Sequence, residues 1–298
     1  MQIYYWSPFL TNIATINSVK RSAIALKKYS KKKLDISIIN SCGEWSFFKE
    51  NSFGIKIINI LNFNLHKFLP KEGFVQSRFS FIIIFLTNIF PLFYKVKKRK
   101  PDFLVIHLLT LLPILLSPLI YKKTKIVLRI SGLPEMNFFR KFVWKTFSKY
   151  IYLVTTPTKL TANDLINLKI FNNDKVKVLR DPIIIFKEIN NKKKEAIEDE
   201  SFNENYYISI GRLTDQKNFE FLIDVFSKNL DKFNIKKLFI IGKGENYLTL
   251  NKQIKKNNME NNIYLLGFKK NVYKYIYNSS GMISVASYED PGFALIES

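Results

Sequence analysis

Tyr206-Tyr207-Ile208-Ser209-Ile210-Gly211-Arg212-Leu213-Thr214-Asp215-Gln216-Lys217-Asn218 runs from a short apolar, β-branched segment through a glycine into a basic loop. Such a run predicts a buried strand, a tight turn and the start of a helix. Downstream the alternation continues: helix Asn218 to Asn229, strand Lys237 to Ile241, helix Asn246 to Asn257, strand Ile263 to Leu266, helix Asn271 to Asn278 and strand Gly281 to Val285. Strands alternating with helices predict parallel α/β units.

Upstream, residues 187–205 are rich in Asn, Lys and Glu and carry no apolar period, which marks a linker. Before it a second alternating series is predicted. Its strands are Ile3 to Trp6, Asp35 to Asn40, Phe103 to His107, Ile126 to Ser131, Leu153 to Thr155 and Lys177 to Leu179. Helices are expected near Thr15 to Tyr29, Phe79 to Tyr94, Thr110 to Tyr121, Phe138 to Lys149 and Thr158 to Leu168. The expected organisation is a doubly wound domain over 1–181, a linker over 182–205 and a second doubly wound domain over 206–298. A doubly wound sheet ordinarily uses a further crossover to cover its last strand, so the second domain is expected to be incomplete at its C-terminus.

Length and composition fit two globular domains: 298 residues, 47% hydrophobic, with Gly and Pro at 10 each. The formal charge is +23, yet seven of the 47 basic residues are Arg. Lysine is a poor bidentate reader of bases and phosphates, so charge alone motivates a nucleic-acid binder only weakly, and none is expected. Either the charge is a coding bias with little binding content, or its partner is an anionic membrane surface. Cys42 is the lone cysteine and no Cys/His cluster is spaced for a metal. These features fit a reducing cytoplasm, and Met1 to Pro8 lacks the pattern of a signal peptide. Phe79 to Tyr94 is apolar but interrupted by Thr87, Asn88 and Pro91, and Lys95, Lys97, Lys98, Arg99 and Lys100 follow it. Falling short of the roughly 20 residues needed to span a bilayer, it is expected to be a buried or interfacial helix.

Three elements carry chemistry. Arg212 and Lys217 follow a strand end, where open α/β sheets bind ligands, and together they can neutralise a diphosphate leaving group, with Gly211 allowing a tight backbone. Ile241-Gly242-Lys243-Gly244 follows the next strand; by itself it signals no more than a turn. Glu289-Asp290-Pro291-Gly292-Phe293-Ala294-Leu295-Ile296-Glu297 places two carboxylates around a helix start opened by Pro291. Spaced so, one acid can take sugar hydroxyls and the other a ribose diol. His107, at a strand end, is either a candidate sugar contact or a satisfied core histidine; His66 has no such context.

Together with Leu266-Gly267-Phe268, these motifs resemble the retaining glycosyltransferases of family 4, which have the GT-B fold of two Rossmann-like domains facing a cleft. The resemblance is strongest over 206–298. It implies that Arg212 and Lys217 hold the donor diphosphate, Glu289 contacts the transferred sugar and Glu297 the ribose. Gly292 and Phe293 would offer amides, and Gly267 and Phe268 would lie near the base. Ser7-Pro8-Phe9, Lys100-Pro101-Asp102, Thr156-Pro157-Thr158 and Asp181-Pro182 are similar to landmarks of enzymes that assemble bacterial surface polysaccharides such as lipopolysaccharide. Two departures stand out: Thr11-Asn12-Ile13-Ala14-Thr15 replaces a Gly-Gly loop, and Arg129-Ile130-Ser131-Gly132 lacks a following His. The implied activity is hexosyl transfer from a nucleotide-diphosphate sugar to a saccharide acceptor, lipid-linked, without metal or other cofactor, at the inner face of the cell membrane. The alternative is an inactive truncated remnant or a membrane-surface binding protein.

Overall fold

Seven short apolar strands order the first half. A computed structural model describes residues 1–11, 14–48, 54–71, 74–197, 202, 204–289 and 292–298. In it β1 (Gln2–Trp6), β2 (Asp35–Asn40), β3 (Lys56–Asn59), β4 (Phe103–Ile106), β5 (Lys125–Arg129), β6 (Leu153–Thr156) and β7 (Val176–Val178) form a sheet in the order β3-β2-β1-β4-β5-β6-β7. Every pairing is parallel. A parallel strand covered on both faces reads as a near-continuous apolar run, as Ile36, Ile38 and Ile39 do around buried Ser37 in β2. One face takes α1 (Ala14–Tyr29) through Val19 and Ala23. The other takes α2 (Phe74–Arg99), α3 (Leu111–Ile120), α4 (Phe138–Phe147) and α5 (Lys159–Asn167), whose buried residues share a core with Leu104 and Leu128. Asn137 and Thr158 start α4 and α5 by accepting the backbone N–H groups of Arg140 and Thr161.

The chain divides between Pro182 and Ile183 into two units. In the second, β8 (Tyr207–Ile210), β9 (Leu238–Ile241), β10 (Ile263–Leu265) and β11 (Gly281–Met282) form a parallel sheet in the order β10-β9-β8-β11. Here α7 (Phe219–Lys228) and α8 (Tyr247–Lys256) cover one face through Leu222, Phe226, Leu250 and Ile254. On the other face Tyr275 of α9 (Tyr273–Tyr277) joins Tyr206, Ile208 and Phe239. A short α10 (Phe293–Glu297) ends the chain. Strand order reverses at β1/β4 in the first sheet and at β8/β11 in the second, and the loops leaving those strands open the crevices where such sheets bind ligands.

Three expectations need correction. Residues 182–205 are not all linker: α6 (Phe186–Lys192) lies within them. The Asn271 amide donates to Lys192 O at 2.8 Å, and Lys274 Nζ donates to Ala196 O at 2.6 Å, tying this stretch to α9. Residues 198–201 and 203 lie outside the described residues. β3 was not anticipated, because Lys56 and Asn59 at its ends hide a two-residue apolar centre at the sheet edge. Finally, α2 extends beyond Phe79 to Tyr94 at both ends and is long and apolar enough, by length and composition, to cross a membrane. It runs through its polar interruptions because Thr87 Oγ1 bonds back to Ile83 O at 2.8 Å and Asn88 turns inward to Ile84 O at 2.8 Å. Packing on the sheet through Leu92 and Val96 keeps it part of the first unit's fold.

Candidate functional site

At the β8/β11 switch the two loops are stapled together. Beyond β8, Asp215–Lys217 form a 3-10 turn, and Asn218, at φ 56, starts α7 in the left-handed region that asparagine tolerates. Gln216 Nε2 donates to Tyr288 O at 2.8 Å, and Ser287 N–H donates to Gln216 O at 3.0 Å. Next to this staple Lys217 Nζ forms a half-buried ion pair with Glu289. Arg212 is exposed and has no ion-pair partner among the described residues. Among the described residues, Lys217 is thus a neutralised cation of the crevice, and Arg212 an exposed one without an ion-pair partner. An anion entering it can compete with Glu289 for Lys217 while Arg212 supplies a second charge.

Glycines set the spacing of this loop layer. A Cβ on Gly242 would stand 1.7 Å from Gly211 O, and one on Gly244 would stand 2.2 Å from Leu213 O. Only a bare backbone lets the loop after β9 lie against Gly211 to Leu213, where Leu213 N–H donates to Lys243 O at 3.0 Å and Asn246 N–H to Leu213 O at 3.0 Å. A Cβ on Gly211 would meet the Lys217 stem at 3.2 Å, so this glycine leaves room for that side chain. The Gly-x-Gly that meant only a turn in the sequence is a packing device for the site loops.

The remaining expected residues lie around this layer. Gly267, at φ +67, accepts the Gly242 N–H at 3.0 Å, and Phe268 beyond it is exposed. Gly292, at φ +76, starts α10 ahead of Phe293; Pro291, expected to open that helix, lies outside the described residues, as does Asp290. Glu297 accepts the Tyr273 hydroxyl at 3.0 Å. The two acids are therefore held differently, Glu289 by Lys217 of the β8 loop and Glu297 by Tyr273 of α9.

In the first unit, a pocket of about 400 Å³ opens at the β1/β4 switch, lined by His107, Arg129, Ser131, Arg140 and Trp144 among others. Arg129 is fully enclosed: it donates to Leu179 O at 2.5 Å and pairs with Asp181 at 2.8 Å, joining the ends of β5 and β7. His107 continues the ladder by donating its N–H to Trp6 O at 2.9 Å and stacks on Tyr5 with ring centroids 5.9 Å apart. Burial, with the Arg129 charge adding to it, pushes the His107 imidazole down to about 3. It is neutral at physiological pH, and its buried Nδ1 and the Ser131 hydroxyl have no hydrogen-bond partner among the described residues. Such neutral polar groups beside an indole suit hydroxyls better than charged ligands.

Residues 190–298 match the family model of Glycosyl transferases group 1. The chain is 29% identical over 223 residues to the uncharacterized glycosyltransferase MJ1059 of Methanocaldococcus jannaschii, covering 68% of this chain and 54% of that protein. It is 27% identical over 192 residues to the N-acetylgalactosamine-N,N'-diacetylbacillosaminyl-diphospho-undecaprenol 4-alpha-N-acetylgalactosaminyltransferase of Campylobacter jejuni, covering 62% of this chain and 51% of that enzyme. The chain thus spans about half the length of these relatives. Among solved structures it resembles Alr3699/HepE of Anabaena in complex with UDP, with a TM-score of 0.65 and 12% identity over 100% of this chain and 78% of that one. The fold is the Rossmann-like GT-B type.

The glycosyl transferases group 1 match contains the whole crevice of the second unit, from Gly211 to Glu297. Three of its structural supports escaped the sequence reading: Gln216, which staples the β11 loop, Tyr273, which holds Glu297, and Asn246, whose amide meets Asp215 Oδ1 at 2.7 Å. Arg129 and Ser131 in the first unit were noted as a departure from the family pattern but given no role, although a charged residue closing the apolar run Ile126 to Leu128 was a visible signal.

Proposed function

We propose that this chain is a retaining hexosyltransferase of family 4, moving a sugar from a nucleotide-diphosphate donor to a lipid-linked saccharide in surface-polysaccharide synthesis. The observation that carries the reading is the Lys217–Glu289 pair beside open Arg212 at the β8/β11 switch, inside the segment matching glycosyl transferases group 1. The relatives add support. The Campylobacter enzyme's name describes a diphospho-undecaprenol-linked acceptor, and Alr3699/HepE was solved with UDP, with UDP and glucose, and with UDP-glucose.

In this reading Arg212 and Lys217 take the donor's diphosphate and stabilise the charge that develops as the glycosidic bond breaks, a role that dispenses with a metal ion. Lys217 exchanges Glu289 for phosphate, and the released Glu289 turns to the hydroxyls of the transferred sugar. Glu297 holds the ribose diol, and His107 offers a neutral hydrogen-bonding group to sugar hydroxyls. The acceptor hydroxyl attacks from the face the diphosphate leaves, and a phosphate oxygen accepts its proton, so the anomeric configuration is kept. Protein carboxylates position the reactants. The work belongs at the cytoplasmic face of the membrane, where acceptor and donor meet.

Thermal unfolding with a panel of nucleotide-diphosphate sugars tests the donor site. A nucleotide that raises the melting temperature of the wild type, with the shift lost in Lys217→Ala and Glu297→Ala, is the expected result. No shift with any nucleotide would overturn the assignment. A membrane-surface binding protein without transfer activity is the competing reading, favoured by the exposed apolar face of α2. It predicts vesicle binding with no nucleotide shift.

A further inference from the structure

The helix α2 is built inside out. Its sheet-facing side carries Ser80 and Asn88, both fully buried, along with Ile84, Leu92 and Val96. Its outward side carries Val75, Phe79, Ile82, Leu86, Phe90 and Tyr94, each between 55 and 78% exposed. Their spacing of three and four residues places them on a single stripe about 28 Å long at 1.5 Å per residue. A soluble surface helix keeps such a stripe for its core; here it faces outward. The stripe ends at Lys97, on the same face, among exposed Lys98, Arg99 and Lys100. Lys97 Nζ lies 5.1 Å from the Phe93 ring centroid and Lys98 Nζ 5.4 Å from that of Tyr94, so the ammonium groups sit against the aromatic end of the stripe. On the same side of the sheet, α4 repeats the pattern with exposed Phe138, Phe139 and Phe142 beside Lys141 and Lys145.

We propose that the outward face of α2, with the phenylalanines of α4, seats the first unit on an anionic lipid bilayer, the apolar stripe lying in the interface and the terminal lysines meeting phosphate headgroups. Packing of Leu92 and Val96 on the sheet rules out a spanning arrangement for α2 in this fold. The occupant is a membrane because the exposed apolar stripe runs directly into a cationic cluster at 97–100 and the whole chain carries +23. An apolar protein partner would not call for the lysines, and an acidic one would not call for six exposed apolar side chains. The role rests on the reading of a lipid-linked acceptor, but its test involves no sugar transfer.

Flotation with phosphatidylcholine vesicles, with and without phosphatidylglycerol, reads the proposal. The protein is expected to float with anionic vesicles and to stay behind with neutral ones. Lys97→Gln and Lys98→Gln should each weaken binding roughly fivefold. The triple change Phe79→Ser, Leu86→Ser and Phe90→Ser should weaken it at least tenfold, with an unchanged melting temperature because these side chains are exposed. Absence of flotation, or flotation indifferent to both sets of changes, would overturn the assignment. So would a dimer in size-exclusion chromatography that the triple change dissolves, since a second copy would then own the face. A nucleotide shift without flotation would leave the donor site standing and remove only the membrane seat.

Discussion

Replacing Gly242 by alanine tests the packing on which the second unit's crevice rests. The new Cβ would stand 1.7 Å from Gly211 O and 2.9 Å from the carbonyl carbon behind it, where ordinary contact begins at 3.4 Å. Relief requires the end of β9 and the loop after β8 to part by about 1.7 Å. That movement breaks the Gly211 N–H bond to Ile241 O and the Gly242 N–H bond to Gly267 O, each 3.0 Å long. Two backbone hydrogen bonds at roughly 1 kcal/mol apiece and about 1–3 kcal/mol of overpacking make the expected loss about 3–5 kcal/mol. Gly281→Ala is the internal control, because its Cβ would meet nothing nearer than the Tyr207 ring at 3.7 Å. It should change stability by less than about 1 kcal/mol. Urea unfolding distinguishes the two units: Trp6, Trp45 and Trp144 all lie in the first, so circular dichroism sees both transitions and tryptophan fluorescence only one. Gly242→Ala should shift the dichroism midpoint of the second unit, leave the fluorescence midpoint alone and abolish nucleotide stabilisation. A variant within about 1 kcal/mol of wild type that still responds to nucleotide would refute the reasoning.

Glu289→Gln removes the charge that competes for Lys217, so nucleoside diphosphate should bind as tightly as before or more tightly, while sugar transfer falls on the order of 100-fold. Parallel losses in calorimetric binding and in transfer would contradict the exchange of partners. Asp181→Asn leaves the enclosed Arg129 charge without its counter-ion and should cost the first unit about 3–5 kcal/mol, read as a lower fluorescence midpoint in urea; no shift would show the pair to be dispensable. The His107 imidazole has a folded value near 3 against 6.5 unfolded, so below pH 6.5 the unfolded chain binds a proton that the folded one does not. Stability of the first unit is therefore expected to fall as pH drops through that window, by about 1.4 kcal/mol per pH unit from this group. His107→Gln should flatten the slope by that amount in fluorescence-detected unfolding at stepped pH; an unaltered slope would show that another group sets it.

Much of the architecture was legible because buried parallel strands are near-continuous apolar runs. Ile36 to Ile39, Leu238 to Ile241 and Ile126 to Leu128 announce themselves, and the glycine after β8 marks the site loop. What failed was set by tertiary context. Lys56 and Asn59 hide β3, since an edge strand needs little apolar sequence. The helix expected over Phe79 to Tyr94 is present, with Thr87 and Asn88 spending their polar groups on its own carbonyls, but its extension to Phe74 and Arg99 was not read. Residues 186–192 form a helix whose Lys192 O accepts from Asn271, just ahead of α9, a tertiary contact with no local signature.

The site's own illegibility follows from its place in the topology. At a switch point the two flanking strands are neighbours in space but distant in sequence, so β8 meets β11 only after two intervening strands. Lys217 and Glu289 are 72 residues apart, as are Gln216 and Tyr288. Motif spacing finds the residues of each loop and is blind to which loops touch, and so it named Glu289 and Glu297 together without the groups that hold them. The folded chain gives them different partners, a lysine across the switch and a tyrosine on α9. That division makes a functional distinction measurable. Glu289 holds a residue assigned to the diphosphate and its loss should leave nucleotide binding intact. Glu297 is held by α9 and its loss should weaken the nucleotide itself. The two acids can therefore be separated by one binding series with UDP, in which Glu297→Ala reduces affinity and Glu289→Gln does not.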